Sequence, residues 1–263
     1  MDWLITVPLG FALGFLIGLT GVGGGVLVAP SLYVILGLNY QDSVALSLIY
    51  SLFTKIVGAI QHMRQGTVLW KITLLYGLTG IPGSILGSHA IYRMGSATER
   101  VLPYVMSALL VAVGLLILLE TTLRDHAVRD KPFSPYVLTP VGIAAIAVFQ
   151  LFVGVLLGIT SVGSGSLVIL SMLYLFRMTA QQIVGSNIVI ALMMVIPASA
   201  THLGLGGVSW PLLALLMLGS LVGTVLGAKT AMRLPPKVLK LSIVVLVLAA
   251  AAATVLKAGQ VPR

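Results

Sequence analysis

The chain has 263 residues, of which 59% are hydrophobic and only 8% charged, and it contains no cysteine. A soluble domain carries about 25% charged residues, so an ordinary globular fold is excluded, together with disulfides, thiolate metal sites and thiol chemistry. The net charge of +9, from fifteen Lys and Arg against six acids, suits cytoplasmic loops and lipid headgroups; nucleic-acid binding would need a polar basic domain, and the chain has none.

Only helices and closed barrels can cross lipid, and long apolar runs without strand-like alternation select helices. The expected fold is an all-α polytopic membrane protein with about eight apolar segments, at 3–36, 42–62, 68–91, 101–119, 139–176, 181–203, 209–231 and 238–257. The N-terminus, MDWLITVPLG, lacks the basic region and cleavage site of a signal peptide. It reads as the start of the first membrane helix, retained in the mature protein. Charges of both signs and two prolines make the stretch from Glu120 to Pro135 a loop between two halves. The expected division is a first four-segment repeat at 1–119, a polar connection at 120–138 and a second repeat at 139–263.

An internal repeat supports that division. GFLIGLTGVGGGVLV from Gly14 aligns with GVLLGITSVGSGSLV from Gly154 at an offset of 140 residues. The same register carries His62, Gly66 and Trp70 onto His202, Gly206 and Trp210, and Gly83, Gly87 and Arg93 onto Gly223, Gly227 and Arg233. Chance does not hold one register over so long a stretch.

Each half opens on a peculiar segment. Trp3 to Leu36 is 34 residues, about 50 Å as continuous helix, against a hydrocarbon core of about 30 Å. Its middle is Thr20-Gly-Val-Gly-Gly-Gly25, which costs helix stability at every glycine; the matching segment breaks at Thr160-Ser-Val-Gly-Ser-Gly165. A tilted, kinked span and a hairpin that leaves on the side it entered both fit. Halves of about 16 and 12 residues are too short to cross singly, which favours the hairpin. If all eight segments cross, Lys and Arg divide seven against seven, with Lys55 inside the membrane. If both broken segments return, the division becomes ten against four. With the ten in the cytoplasm, each half has three true spans and the repeats are inverted, a common plan of secondary transporters.

Glycines four residues apart, Gly10, Gly14 and Gly18, Gly83 and Gly87, and Gly219, Gly223 and Gly227, predict closely packed helices. Unwound backbone at membrane depth must be buried in protein or line a wet cavity. The helix that restarts after a break offers free N–H groups and a dipole end that favour an anion. The candidate site is therefore Thr20, Gly21, Gly23, Gly24 and Gly25 in the first break and Thr160, Ser161, Gly163, Ser164 and Gly165 in the second. Ser166 adds a hydroxyl. A structural kink is the alternative.

Lys55 would be a charge inside a segment with no acid nearby; an anionic ligand, a gating role or snorkelling each accounts for it. Asn187, matched to Ser47, is costly in lipid and is expected to face protein or a cavity, as is Gln150 more weakly. Ser47, Tyr50, Ser51 and Thr54 place hydroxyls on the Lys55 segment. His62 and His202 suit capping, packing, gating or proton movement, and two histidines without Cys or carboxylate make a poor metal site. Trp70 and Trp210 read as interfacial anchors. No Walker motif, HExxH, acid pair or triad is present, so an enzyme is not expected.

The ordered pattern resembles the sulfite exporter TauE/SafE family of bacterial membrane permeases. The motifs are GFLIGLTGVGGGVLVAPSL from Gly14, GTVLWK from Gly66, GIPGSILGSHA from Gly80, a fainter second copy from Gly158, and GSLVGTVLGAKTAMRLPP from Gly219. Serines replace consecutive glycines in the second copy, so the halves need not take part equally. The resemblance implies an inner-membrane permease for sulfite, thiosulfate or an organosulfonate such as sulfoacetate. It implies no cofactor, leaves proton coupling open, and highlights the breaks at Gly21–Gly25 and Gly163–Gly165. Expected partners are the anion and membrane lipid, with a homo-oligomer left open. A passive anion channel is the alternative function, and a non-transporting scaffold stands further behind.

Overall fold

A computed structural model describes residues 3–20, 24–95, 97–123, 139–162, 165–176, 178–205, 208–231 and 236–260. These form ten helices: α1 (Trp3–Thr20), α2 (Gly24–Val34), α3 (Tyr40–Arg64), α4 (Trp70–Arg93), α5 (Ala97–Leu123), α6 (Pro140–Thr160), α7 (Ser166–Leu175), α8 (Ala180–Leu205), α9 (Trp210–Ala231) and α10 (Pro236–Ala258). The first broken segment is α1 with α2, and the second is α6 with α7. Local chemistry starts two of the helices. Asn39 caps α3 by accepting from the Asp42 N–H at 2.7 Å, and Thr139 caps α6 through the Gly142 N–H at 3.2 Å, with Pro140 at the first helical position.

Two glycine seams join the halves. A methyl group on Gly10, Gly14 or Gly18 of α1 would strike the backbone of Leu216, Ser220 or Thr224 of α9, while Gly219, Gly223 and Gly227 sit against Val7, Phe11 and Phe15. In the second seam Gly83 and Gly87 of α4 press on Leu151 and Val155 of α6, and Gly154 and Gly158 press on Gly80 and Ser84. Residue numbers rise together in both seams, so each pair is parallel. The first helix of each half thus packs on the fourth helix of the other. With no hydrophobic drive between helices in lipid, such close backbone contact supplies the association.

The remaining contacts give the bundle inverted-repeat-like symmetry. Going up from the N-cap of α4, Leu69, Gly77 and Tyr92 meet Ser186, Met193 and His202 of α8, so α4 is parallel to α8 as well as to α6. Gly58 of α3 meets Ile188, while His62 lies beside Gly185, so α3 opposes its repeat mate α8. Because α6 and α8 run the same way, α7 and the residues after it bring the chain back between them. At the far end of the bundle, the Lys257 ammonium of α10 donates to the Tyr33 carbonyl at the end of α2 and lies 4.2 Å from the centre of the Tyr33 ring. The Glu99 carboxylate of α5 accepts from the Tyr40 N–H at the start of α3.

The structure corrects two expectations. Instead of eight long apolar segments, six helices among the described residues are long and apolar enough to cross a membrane, within α3, α5, α6, α8, α9 and α10. The two breaks leave α2 and α7 at 11 and 10 residues, about 15 Å each. The helix α4 has the length, but its glycines and hydroxyls lower its hydropathy. The halves of the broken segments are also unequal: α6 reaches 21 residues and is long and apolar enough to cross by itself. It stays helical through Gly154 and Gly158 because the α4 seam needs glycine there, so helix breaking is confined to the residues after Thr160. The helix α5 runs on to Leu123, and residues 124–138 of the connection lie outside the described residues.

Candidate functional site

The two breaks meet. A methyl group on Gly25, in the first turn of α2, would collide with the Ser161 carbonyl oxygen just past α6. The stretches on which the sequence placed a site are thus in backbone contact across the two halves. Gly24 begins α2, and Thr20 ends α1. Gly21, Gly23, Gly163 and Ser164 lie outside the described residues.

The second break is built around the end of α6. Ser161 is a buried, non-glycine residue in the left-handed region, at φ 60° and ψ 4°, a conformation that small polar residues tolerate better than branched ones. Its Oγ lies 3.0 Å from Ser47 Oγ, seven residues or about 10 Å along α3 from its start. A helix end leaves its last carbonyls without partners, and here they are met one after another. The Thr160 hydroxyl donates to Leu156 O at 2.6 Å, and the Ser161 N–H to Leu157 O at 2.7 Å. His202 Nε2 lies 3.4 Å from Gly158 O, and the Tyr40 hydroxyl donates to Ile159 O at 3.0 Å. The Val162 N–H turns to Thr160 Oγ1 at 3.1 Å. The end of α6 is therefore held by side chains from α3 and α8 as well as its own. Beyond it α7 restarts after Gly165, whose position carries no side-chain cap.

Asn187 is buried in α8, with an Oδ1 that has no hydrogen-bond partner among the described residues. Gln150 is fully buried, its Nε2 3.4 Å from Met194 Sδ and its Oε1 likewise without a partner. Lys55 is half-buried among exposed Phe53, Ile56 and Val57, and no hydrogen bond or ion pair reaches it among the described residues. It stands eight residues, about 12 Å, beyond Ser47 along α3, so the structure does not bring it to the contact between Gly25 and Ser161. Trp70 and Trp210 open α4 and α9 and are half exposed, at 50% and 55%. Among the described residues no group of three His, Cys, Asp or Glu is arranged to hold a metal. Sequence reasoning noted Ser47 and His202 without assigning them to the break, and it did not single out Tyr40. Only the histidine match to His62 could have pointed there.

A helical bundle whose halves exchange their first helices and meet at paired breaks defines a multi-pass membrane protein with a shared centre. The sulfite exporter TauE/SafE family model matches residues 6–254, and the chain belongs to that family. It is 32% identical over 237 residues to the probable membrane transporter protein YjnA of Bacillus subtilis, covering 89% of this chain and 92% of the relative. YunE of the same organism, also a probable membrane transporter, is 25% identical over 87% and 88% of the two chains. The probable membrane transporter MJ0441 of Methanocaldococcus jannaschii is 22% identical over 91% and 92%. No solved structure matches the chain. The protein is a membrane transporter of the secondary type for small anions, located in the bacterial inner membrane, and not an enzyme.

Proposed function

We propose that the protein moves a small sulfur-containing anion, such as sulfite, thiosulfate or an organosulfonate, across the cytoplasmic membrane. The observation that carries this reading is the contact between Gly25 and Ser161, because it puts the start of α2 beside the end of α6, where the second break begins. Backbone N–H groups of Gly23–Gly25 and Gly163–Gly165 and the hydroxyls of Thr20, Ser161 and Ser164 supply the donors an oxyanion needs. The Thr160 hydroxyl already serves the end of α6, so its part is to shape the break. Lys55 and Asn187 are the outer polar groups. Each broken segment is a hairpin whose short arm, α2 or α7, stops within the membrane. Rocking of one half against the other about the shared breaks then exposes the site to each side in turn, with 1–119 and 139–263 as the two halves.

Uptake of radiolabelled sulfite, thiosulfate and sulfoacetate into proteoliposomes tests this. Wild type should show saturable uptake that is trans-stimulated by the unlabelled anion, and Gly24→Leu should abolish it while the protein stays inserted and folded. Flux that never saturates identifies a channel. Undiminished transport by Gly24→Leu removes the glycine break from the site.

A further inference from the structure

We propose that His202 is a proton-binding site that couples anion movement to protons, with the Tyr92 hydroxyl as the partner that lets the ring change charge in place. The proposal rests on the transport reading above.

The imidazole is fully buried, with Nδ1 3.0 Å from Tyr92 Oη and Nε2 3.4 Å from the Gly158 carbonyl oxygen. A carbonyl only accepts, so Nε2 carries a hydrogen. In the neutral ring Nδ1 then accepts from the tyrosine O–H. That hydroxyl also lies 3.3 Å from the carbonyl oxygen of His202 itself. When a proton arrives at Nδ1, the new N–H donates to Tyr92 Oη, and the tyrosine hydrogen turns to the His202 carbonyl. Both charge states are fully hydrogen-bonded without moving a heavy atom, so proton uptake leaves no buried polar group stranded.

The contact to Gly158 ties that charge to the transport site. Residue 162 would ordinarily return its N–H to the carbonyl of residue 158; Val162 gives it to Thr160 Oγ1 instead. The freed carbonyl sits at the negative end of α6, where a cation is favoured, one turn before Ser161 and its contact with Gly25. Charging His202 therefore strengthens its hold on the end of α6, and discharging loosens it, beside the junction of the two halves.

The titratable groups that face this site are few. From α4 come Tyr92 and, at longer range, His89. From the first turn of α3 come Tyr40, whose hydroxyl serves the Ile159 carbonyl beside Gly158, and Asp42, which lies close to Tyr92. Neither α6 nor the rest of α8 contains an ionisable side chain. The repeat mate His62 has a similar hydroxyl, with Thr67 Oγ1 2.9 Å from its Nδ1, but its ring is only half-buried and touches neither break among the described residues.

Two measurements test the proposal on the full-length protein. In proteoliposomes, sulfite, thiosulfate and sulfoacetate are offered with and without a pH gradient. Wild type should gain about fivefold or more in net uptake from the gradient. His202→Gln should keep anion exchange but lose that gain, and His62→Gln should keep both. A gain in His202→Gln equal to that of wild type overturns the proposal. If His202→Gln does not fold, Tyr92→Phe takes its place and should move the pH at which the gain appears; an unmoved profile counts against the proposal. In nanodiscs, NMR of 15N-labelled histidine should show one ring, assigned by Tyr92→Phe, that takes up a proton as the pH is lowered from about 8 to about 4. A His202 ring that keeps one charge state across that range overturns the proposal. Should wild type carry none of the three anions, the anion reading falls and the NMR titration alone decides the proton site.

Discussion

At the residue scale, the closure of α6 depends on groups far away in sequence. Tyr40 lies 119 residues from the Ile159 carbonyl it caps, and His202 lies 44 from Gly158. Replacing Tyr40 with Phe keeps the ring and removes the donor, leaving a carbonyl unpaired in a buried setting. The expected loss is about 1–3 kcal/mol, read as a lower unfolding temperature in detergent; an unchanged temperature means that water or another donor serves Ile159. The breaks themselves were legible because clusters of glycine and serine interrupt otherwise apolar runs. What closes them was not, because a tyrosine at a helix start and a histidine at a helix end look like ordinary residues until the fold brings them together. Thr160 shows the same limit: its hydroxyl marked a candidate donor, yet Leu156 O and the Val162 N–H already use it.

Among elements, the glycine seams set how close the helices come. Spacing of four residues announced the close faces of α1, α4 and α9, but not which helix each would meet. The offset of 140 pairs equivalent positions, whereas the seams pair α1 with α9 and α4 with α6. Gly83 has Leu151 backbone where a side chain would go, while Gly204, near the end of α8, has open space. Gly83→Ala should therefore destabilise by about 1–3 kcal/mol through overpacking, and Gly204→Ala should be neutral or stabilising by up to about 1 kcal/mol. Comparable thermal shifts for the two variants would show that the seam relaxes at no cost. The overcount of long apolar segments also belongs here. Hydropathy windows run across a break whose two sides are separate helices, and they blur the low hydropathy that the seam imposes on α4.

For the whole molecule, the opposed directions of α3 and α8 agree with the charge asymmetry, in which ten basic residues fall on one side once both broken segments return. Orientation is directly testable because the chain has no cysteine to remove. Gln65, at the turn after α3, and Gln260, after α10, are both exposed. A membrane-impermeant maleimide should label Gln260→Cys in intact cells and Gln65→Cys only after permeabilisation. Labelling of both from the outside would reject the inverted arrangement. Composition alone made the membrane fold legible, and the repeat made its two halves legible. Their exchange of helices had no sequence signal, since it depends on backbone shape rather than residue pattern.

That exchange has a consequence for how the protein is made. The helix α1 leaves the ribosome well before α9, whose glycines that receive it lie about 200 residues later. At 5–20 residues per second, that interval is on the order of 10–40 s. Through it the bare glycine face of α1 waits in the lipid with no mate, and a chain interrupted after α5 has no finished half to leave behind. Assembly is therefore committed late, when α9 arrives, and the nascent chain must be shielded until then.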